Sequence, residues 1–261
     1  MAVARINGID IYYEDSGGTG PALLFSHGFL MDREMFAPQI EALHEHYRCI
    51  AWDERGFGRT GPVDQPFSYW DSARDALGLL AHLNVPSATF IGMSQGGFLA
   101  MRAALLEPAR VKALVLISTR SGLDAPEIVG NFRQLRAEWL ANGCTNVKQM
   151  LGELLIGKER AAPEPWFAKW ERMTKQSLAY PIDALAGRDD LTPRINELRC
   201  PAIVFHGEAD IAIDIAHGAA LAKALPNCKA FVRIPGAGHT PNLTHPDIVN
   251  PPLIDFLAKW A

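Results

Sequence analysis

The stretch Gly92-Met93-Ser94-Gln95-Gly96-Gly97 decides how this chain is read, because it sets a serine between glycines directly after the apolar run Ala88-Thr89-Phe90-Ile91. Where a strand turns sharply into a helix, the corner residue is held in a strained conformation, and the positions two before and two after it must lack bulk. Gly92 and Gly96 fill those positions. Such a corner lifts the Ser94 hydroxyl clear of a sheet, at the N-terminus of a helix starting near Gln95, where unpaired main-chain N–H groups favour negative charge. Ser94 is therefore the candidate nucleophile. The competing reading is a loop serine that only caps the helix over residues 96–106.

Outward from this stretch, short β-branched or aliphatic runs recur at Ala22 to Ser26, Arg48 to Trp52, Ala113 to Ile117, Ala202 to His206 and Ala230 to Ile234. Segments of helical length separate most of them. This alternation predicts an α/β fold with a mostly parallel central sheet and helices on both faces. Ile9 to Tyr13, with Ile6 ahead of it, alternates apolar and polar residues and is followed by Asp15-Ser16-Gly17-Gly18-Thr19-Gly20. That pattern reads as an antiparallel edge hairpin leading into the first central strand.

From about Gly122 to Ala186 the strand signal disappears and aromatic residues accumulate: Phe132, Trp139, Trp166, Phe167 and Trp170. The expectation is a helical cap over residues 122–186, inserted after the sixth strand of a core made of residues 1–121 and 187–261. Its helices would span Glu127 to Ala141, Asn146 to Ile156 and Glu164 to Gln176, with Pro163 and Pro165 near the start of the third, where proline is tolerated. Trp139, Trp166 and Trp170 are candidates to line an apolar substrate pocket; the alternative is that they form the cap's own core or its seat on the main domain.

With 261 residues and 48% hydrophobic content, the chain can bury a sizeable core, which excludes disordered and collagen-like classes. Its 25 basic and 29 acidic residues are mixed along the chain, giving a net charge of −4, so no basic stripe invites nucleic acid or an anionic membrane. Small molecules are the expected partners. The start, Met1-Ala2-Val3-Ala4-Arg5-Ile6-Asn7-Gly8, lacks a secretory pattern, and no run of about 18 apolar residues occurs, so a cytoplasmic location is the default expectation. Cys49, Cys144, Cys200 and Cys228 are widely spaced without a C-x-x-C pair, suggesting neither a zinc site nor a disulfide framework.

A serine hydroxyl is a poor nucleophile until an imidazole, itself oriented by a buried carboxylate, takes its proton. Among eight histidines, His239 stands out on the glycine-rich loop Gly236-Ala237-Gly238-His239-Thr240, directly after the last strand. His206 and His27 read instead as supports of backbone geometry. Asp210 follows a strand and a glycine turn, at the carboxyl end where open parallel sheets build their sites. Asp124 is the substitute should Asp210 face away. For the oxyanion of a tetrahedral intermediate, main-chain N–H donors are expected from Gln95, after the nucleophile, and Phe29, after Ser26-His27-Gly28.

With these residues in place, Ser26-His27-Gly28-Phe29, the segment Asp53 to Thr60, Gly92 to Gly97, His206 to Asp210 and Gly236 to His239 resemble the α/β-hydrolase superfamily over nearly the whole chain. The likeness is to the branch of small esterases, enol-lactone and acyl-lactone hydrolases, cofactor-free perhydrolases and carbon–carbon bond hydrolases. It implies a cofactor-free, metal-free serine hydrolase with a helical cap, and it makes Asp53 to Thr60 a structural loop beside the site. Serine at the corner argues against haloalkane dehalogenases and most epoxide hydrolases, which use a carboxylate nucleophile. Gly28-Phe29-Leu30-Met31 lacks the proline that relatives carry after their His-Gly pair, which weakens perhydrolysis, and Gln95 stands where methionine or leucine is common. The expected activity is cleavage of carboxylic esters, lactones included, through an acyl-enzyme. Perhydrolysis, carbon–carbon hydrolysis and a ligand receptor on the same fold are the competing readings.

Overall fold

The computed structural model describes residues 2–157 and 163–261. Its strands are β1 (Ala2–Ile6), β2 (Ile9–Asp15), β3 (Ala22–Ser26), β4 (Arg48–Trp52), β5 (Ala88–Met93), β6 (Val111–Ile117), β7 (Ala202–Gly207) and β8 (Cys228–Ile234). They form one sheet in the order β1-β2-β4-β3-β5-β6-β7-β8. From β4 onward every pairing is parallel; β1 with β2 and β2 with β4 are antiparallel. The central strands carry the near-continuous apolar runs expected of a sheet covered on both faces, and every residue of β5 and β7 is buried.

The edge hairpin differs from the sequence expectation. Its turn is Asn7-Gly8, with φ of 46° and 84°, the two-residue connection whose twist matches the flanking strands. The glycine-rich run after Asp15 is instead the crossing to β3, and the hairpin pairs with β4.

Helices α1 (Ala37–Leu43), α2 (Tyr69–His82) and α3 (Gln95–Leu106) precede β6. Between β6 and β7 the described residues hold α4 (Pro126–Asn142), α5 (Lys148–Leu155), α6 (Glu164–Trp170) and α7 (Ala179–Ala186). Residues 158–162 of that span lie outside the described residues. After β7 come α8 (Ile215–Ala224), α9 (Pro241–Thr244) and α10 (Pro246–Trp260). α2 and α3 pack together against β1, β3, β5 and β6, while α1, α9 and α10 form a second group.

α6 stops at Trp170 where a longer helix was expected. The Arg172 and Met173 N–H groups donate to the Lys169 and Trp170 carbonyls in tight turns, and the chain bends back under α4. No described helix is long and apolar enough to cross a membrane.

Candidate active site

Ser94 occupies the corner between β5 and α3 with φ 52° and ψ −113°, a strained region for a residue with a side chain. The neighbouring backbones explain the glycines. A Cβ on Gly96 would lie 2.0 Å from the Ser26 carbonyl oxygen, and one on Gly92 would lie 2.3 Å from that of Gly96. The corner is fixed from below by Ser94 N–H donating to the Ile117 carbonyl at 2.8 Å and by the Thr119 hydroxyl donating to the Ser94 carbonyl at 2.8 Å. The Ser94 hydroxyl makes no capping bond to α3, which removes the alternative of a helix-cap serine.

That hydroxyl is 3.1 Å from His239 Nε2, and His239 Nδ1 is 2.8 Å from Asp210 Oδ2. All three side chains are buried, and they come from the loops after β5, β7 and β8, at the carboxyl edge of the sheet. The remaining oxygen of Asp210 accepts from the Ala212 and Ile213 N–H groups, both at 2.9 Å. Burial alone would push this carboxyl up; the charge of His239, hydrogen bonds from His206 and His239 and the Ile213 amide outweigh it and hold Asp210 well below the usual carboxylate range. Asp210 thus stays ionised beside the imidazole.

His206, which the sequence suggested only as a support, is a second partner of this carboxylate. Its Nε2 lies 2.8 Å from the Ile213 carbonyl and 3.2 Å from Asp210 Oδ2, so that nitrogen carries the hydrogen. Asp124, the substitute acid, is paired with Arg120 and Arg188, and it is Asp210 that bonds His239.

Phe29 sits beside the site on the loop after β3, where Met31 N–H donates to the Gly28 carbonyl and Leu30 takes a positive φ of 62°. His27 anchors this loop: its Nδ1–H donates to the Gly28 carbonyl at 2.8 Å while its Nε2 accepts from the Glu54 N–H at 2.9 Å. Both bonds suit the neutral ring, and burial pushes its pKa down despite the nearby Asp53. The main-chain amides of Phe29 and Gln95 donate to no other group among the described residues.

A buried polar network behind the corner had no signature in the sequence. Gln95 Oε1 accepts from the Tyr69 hydroxyl at 3.2 Å, and Gln95 Nε2 donates to Glu54 Oε2 at 3.1 Å. Glu54 Oε1 is buried without a partner, and no cation bonds this side chain among the described residues. Burial first, and the charge of Asp75 second, raise its carboxyl well above the usual range, which favours the neutral acid. Gln95 is therefore clamped from both ends of its amide.

Ser94 and His239 open onto a cavity of about 650 Å³ under α4 and α5. Phe29, Phe98, Phe132, Leu135, Leu151 and Ile213 supply apolar walls, and Arg120, Asp124 and Arg188 the polar corner. The three tryptophans that were candidates for this lining are elsewhere, as the alternative of packing within the cap or against the main domain had it. Trp139 lies one turn beyond Leu135 on α4, fully buried, its indole N–H donating to the Thr174 carbonyl at 3.3 Å. Trp170 donates to the Leu30 carbonyl at 2.6 Å and lines a separate cavity with Asp32 and Lys169, and the buried Trp166 ring lies under the Lys169 ammonium at 4.3 Å. A buried indole needs an acceptor for its N–H, and for Trp139 and Trp170 that acceptor is a main-chain carbonyl outside the apolar cavity.

This geometry goes together with likenesses to known proteins. A family profile described as alpha/beta hydrolase fold matches residues 21–246. A Synechocystis protein carrying the provisional name non-heme chloroperoxidase is 30% identical over 95% of both chains. A thermophilic esterase from Thermogutta terrifontis superposes with a TM-score of 0.87 at 30% identity, over 96% of this chain and 94% of its own. The enol-lactonase of Burkholderia xenovorans superposes with a TM-score of 0.90, over 98% of this chain and 100% of its own, but at 24% identity it speaks for the fold alone. The serine corner, the eight-stranded sheet and the match along most of the sequence agree: this chain belongs to the α/β hydrolase fold family.

Proposed function

We propose that this protein is a serine hydrolase that cleaves carboxylic esters, lactones included, through an acyl-enzyme, with Ser94 as nucleophile, His239 as general base and acid, and Asp210 as the group that orients the imidazole. The reading rests above all on the continuous line from Ser94 Oγ through His239 to Asp210, at 3.1 and 2.8 Å. His239 Nε2 takes the Ser94 proton as Oγ attacks the acyl carbon, while Nδ1–H keeps its bond to Asp210 and the imidazolium is stabilised by that carboxylate. The oxyanion is received by the N–H groups of Phe29 and Gln95 at the positive end of α3. The alkoxide leaves with the proton from Nε2. Water, deprotonated by the same nitrogen, then attacks the ester carbonyl of the acyl-enzyme and frees Ser94.

The apolar walls of the cavity favour an acyl chain or ring as the part of the substrate held there, and the similarity to an esterase at 30% identity supports ester chemistry. The test is the initial rate on p-nitrophenyl butyrate for the wild type beside Ser94→Ala, both confirmed folded by circular dichroism. Activity confined to the wild type is expected; equal activity in both removes the assignment. Similarity to a protein named for peroxidase activity favours one second reading, in which peroxide replaces water in the deacylation step. Peracid formation measured against acid release from the same acyl donor separates the two.

A further inference from the structure

Two buried arginines line the same cavity as Ser94 and His239. Arg120 stands in the loop between β6 and α4, and Arg188 directly after α7. Both converge on Asp124, one guanidinium on each carboxylate oxygen, and the three side chains are 9%, 4% and 3% exposed. Two guanidiniums thus share one carboxylate as a hydrogen-bonding partner, while the charge of Asp210 also acts on Arg120.

Arg188 has further acceptors in the Leu185 and Gly122 carbonyls, and its guanidinium stacks over the Phe98 ring at 4.6 Å. Arg120 is less well served. Its Nη1 lies 3.3 Å from His217 Nε2, and its Nε is buried with no acceptor among the described residues. Burial and the neighbouring Arg188 push the Arg120 guanidinium down to about 10, which leaves it a cation at neutral pH. The other carboxylates nearby give Arg120 Nε no acceptor: Asp210, whose charge acts on Arg120, is bonded to His239 and His206, and Glu138 is bonded to Asn142 at the end of α4 and to Asn146 beyond it.

We propose that Arg120, backed by Arg188, is an anion-recognising subsite of this cavity, and that the substrate is an ester or lactone bearing a carboxylate on the part of the molecule that does not react. A carboxylate there would give the buried Arg120 Nε an acceptor, and a guanidinium binds a carboxylate through two parallel hydrogen bonds. The aliphatic walls would hold the carbons between the two ends. The proposal rests on the ester-hydrolase reading of the same cavity.

The test compares mono-p-nitrophenyl esters of succinate, adipate and suberate with neutral p-nitrophenyl esters of matching chain length. For at least one pair, the wild type prefers the charged ester by about ten-fold or more in kcat/KM, and Arg120→Gln lowers that preference by about ten-fold or more, with partial rescue by Arg120→Lys. Preference for the neutral ester in every pair, or equal loss on both members in Arg120→Gln, overturns the subsite and leaves the arginines as a latch between two loops. A second arm does not depend on turnover or on the Arg120 variants folding: calorimetric titration of Ser94→Ala with succinate, adipate and suberate against hexanamide. Binding of a dicarboxylate but not of the amide supports the subsite, and if no ester is turned over, it is the ester-hydrolase reading alone that falls. No dicarboxylate binding overturns the subsite.

Discussion

At the scale of single residues, the proposed chemistry hangs on one proton path and on the tautomer that keeps it open. Asp210→Asn would present an amide to His239 Nδ1 and favour the ring with its hydrogen on the wrong nitrogen. A loss of about 10⁴-fold in kcat is expected with the fold retained, read from steady-state rates and circular dichroism. Glu54 makes a prediction of the opposite electrostatic kind. Its proton is kept in the fold and released from the unfolded chain, so stability falls as pH rises from the ordinary glutamate range towards the raised folded value, by at most about 1.4 kcal/mol per pH unit. Glu54→Gln keeps an acceptor for Gln95 Nε2 without that dependence. It should raise the melting temperature more at about pH 8 than at about pH 5; an equal gain at both would mean that Glu54 is charged in the fold.

Ser94, Asp210 and His239 could be picked out because each stands at a strand end marked by glycine, a local signal. Glu54, Tyr69 and Gln95 could not be joined, since they lie on three separate segments and in sequence Asp53-Glu54-Arg55 reads as a charged loop. The Arg120, Asp124 and Arg188 cluster was hidden for the same reason: Arg188 is far along the chain from the other two, and their meeting depends on the whole insertion folding back.

At the scale of elements, the corner works because strand and helix backbones nearly touch. Gly96→Ala would drive a methyl into the Ser26 and His27 carbonyls at 2.0 and 2.9 Å, and backbone cannot step aside as a side chain can. Destabilisation of about 3 kcal/mol or more is expected, measured by urea unfolding; a loss under about 1 kcal/mol would mean that α3 can slide off β3. The strands β3 and β4 matched their expected bounds because buried aliphatic runs flanked by turns leave little freedom. The hairpin was placed wrongly because the long glycine-rich run after Asp15 outshone the two-residue Asn7-Gly8 turn. The choice for the tryptophans between pocket and cap packing stayed open because composition says that rings are buried but not on which side of a helix their neighbours lie. The third insertion helix overran because turns such as those at Arg172 and Met173 depend on what α6 is tied to, and not on local propensity.

At the scale of the whole molecule, the cavity exists only because α4 and α5 lie over the carboxyl edge of the sheet. Leu135 is on its wall, so Leu135→Trp should shorten the space and lower the ratio of kcat/KM for p-nitrophenyl octanoate to that for p-nitrophenyl acetate by about ten-fold. An unchanged ratio would place the acyl chain elsewhere.

The tie between α6 and the loop after β3 has a mechanical meaning. Trp170 holds the Leu30 carbonyl and Lys169 holds Asp32 and Glu34, on the same loop that carries the Phe29 amide. Under the proposed mechanism, a substrate route that lifted α6 would pull on the loop whose Phe29 amide receives the oxyanion. The exposed Ile128, Met150 and Ile211 line the cavity of Ser94 and His239 from α4, α5 and the loop after β7. In the proposed mechanism, a substrate entering past those three side chains would leave the ties of α6, and with them the Phe29 amide, undisturbed.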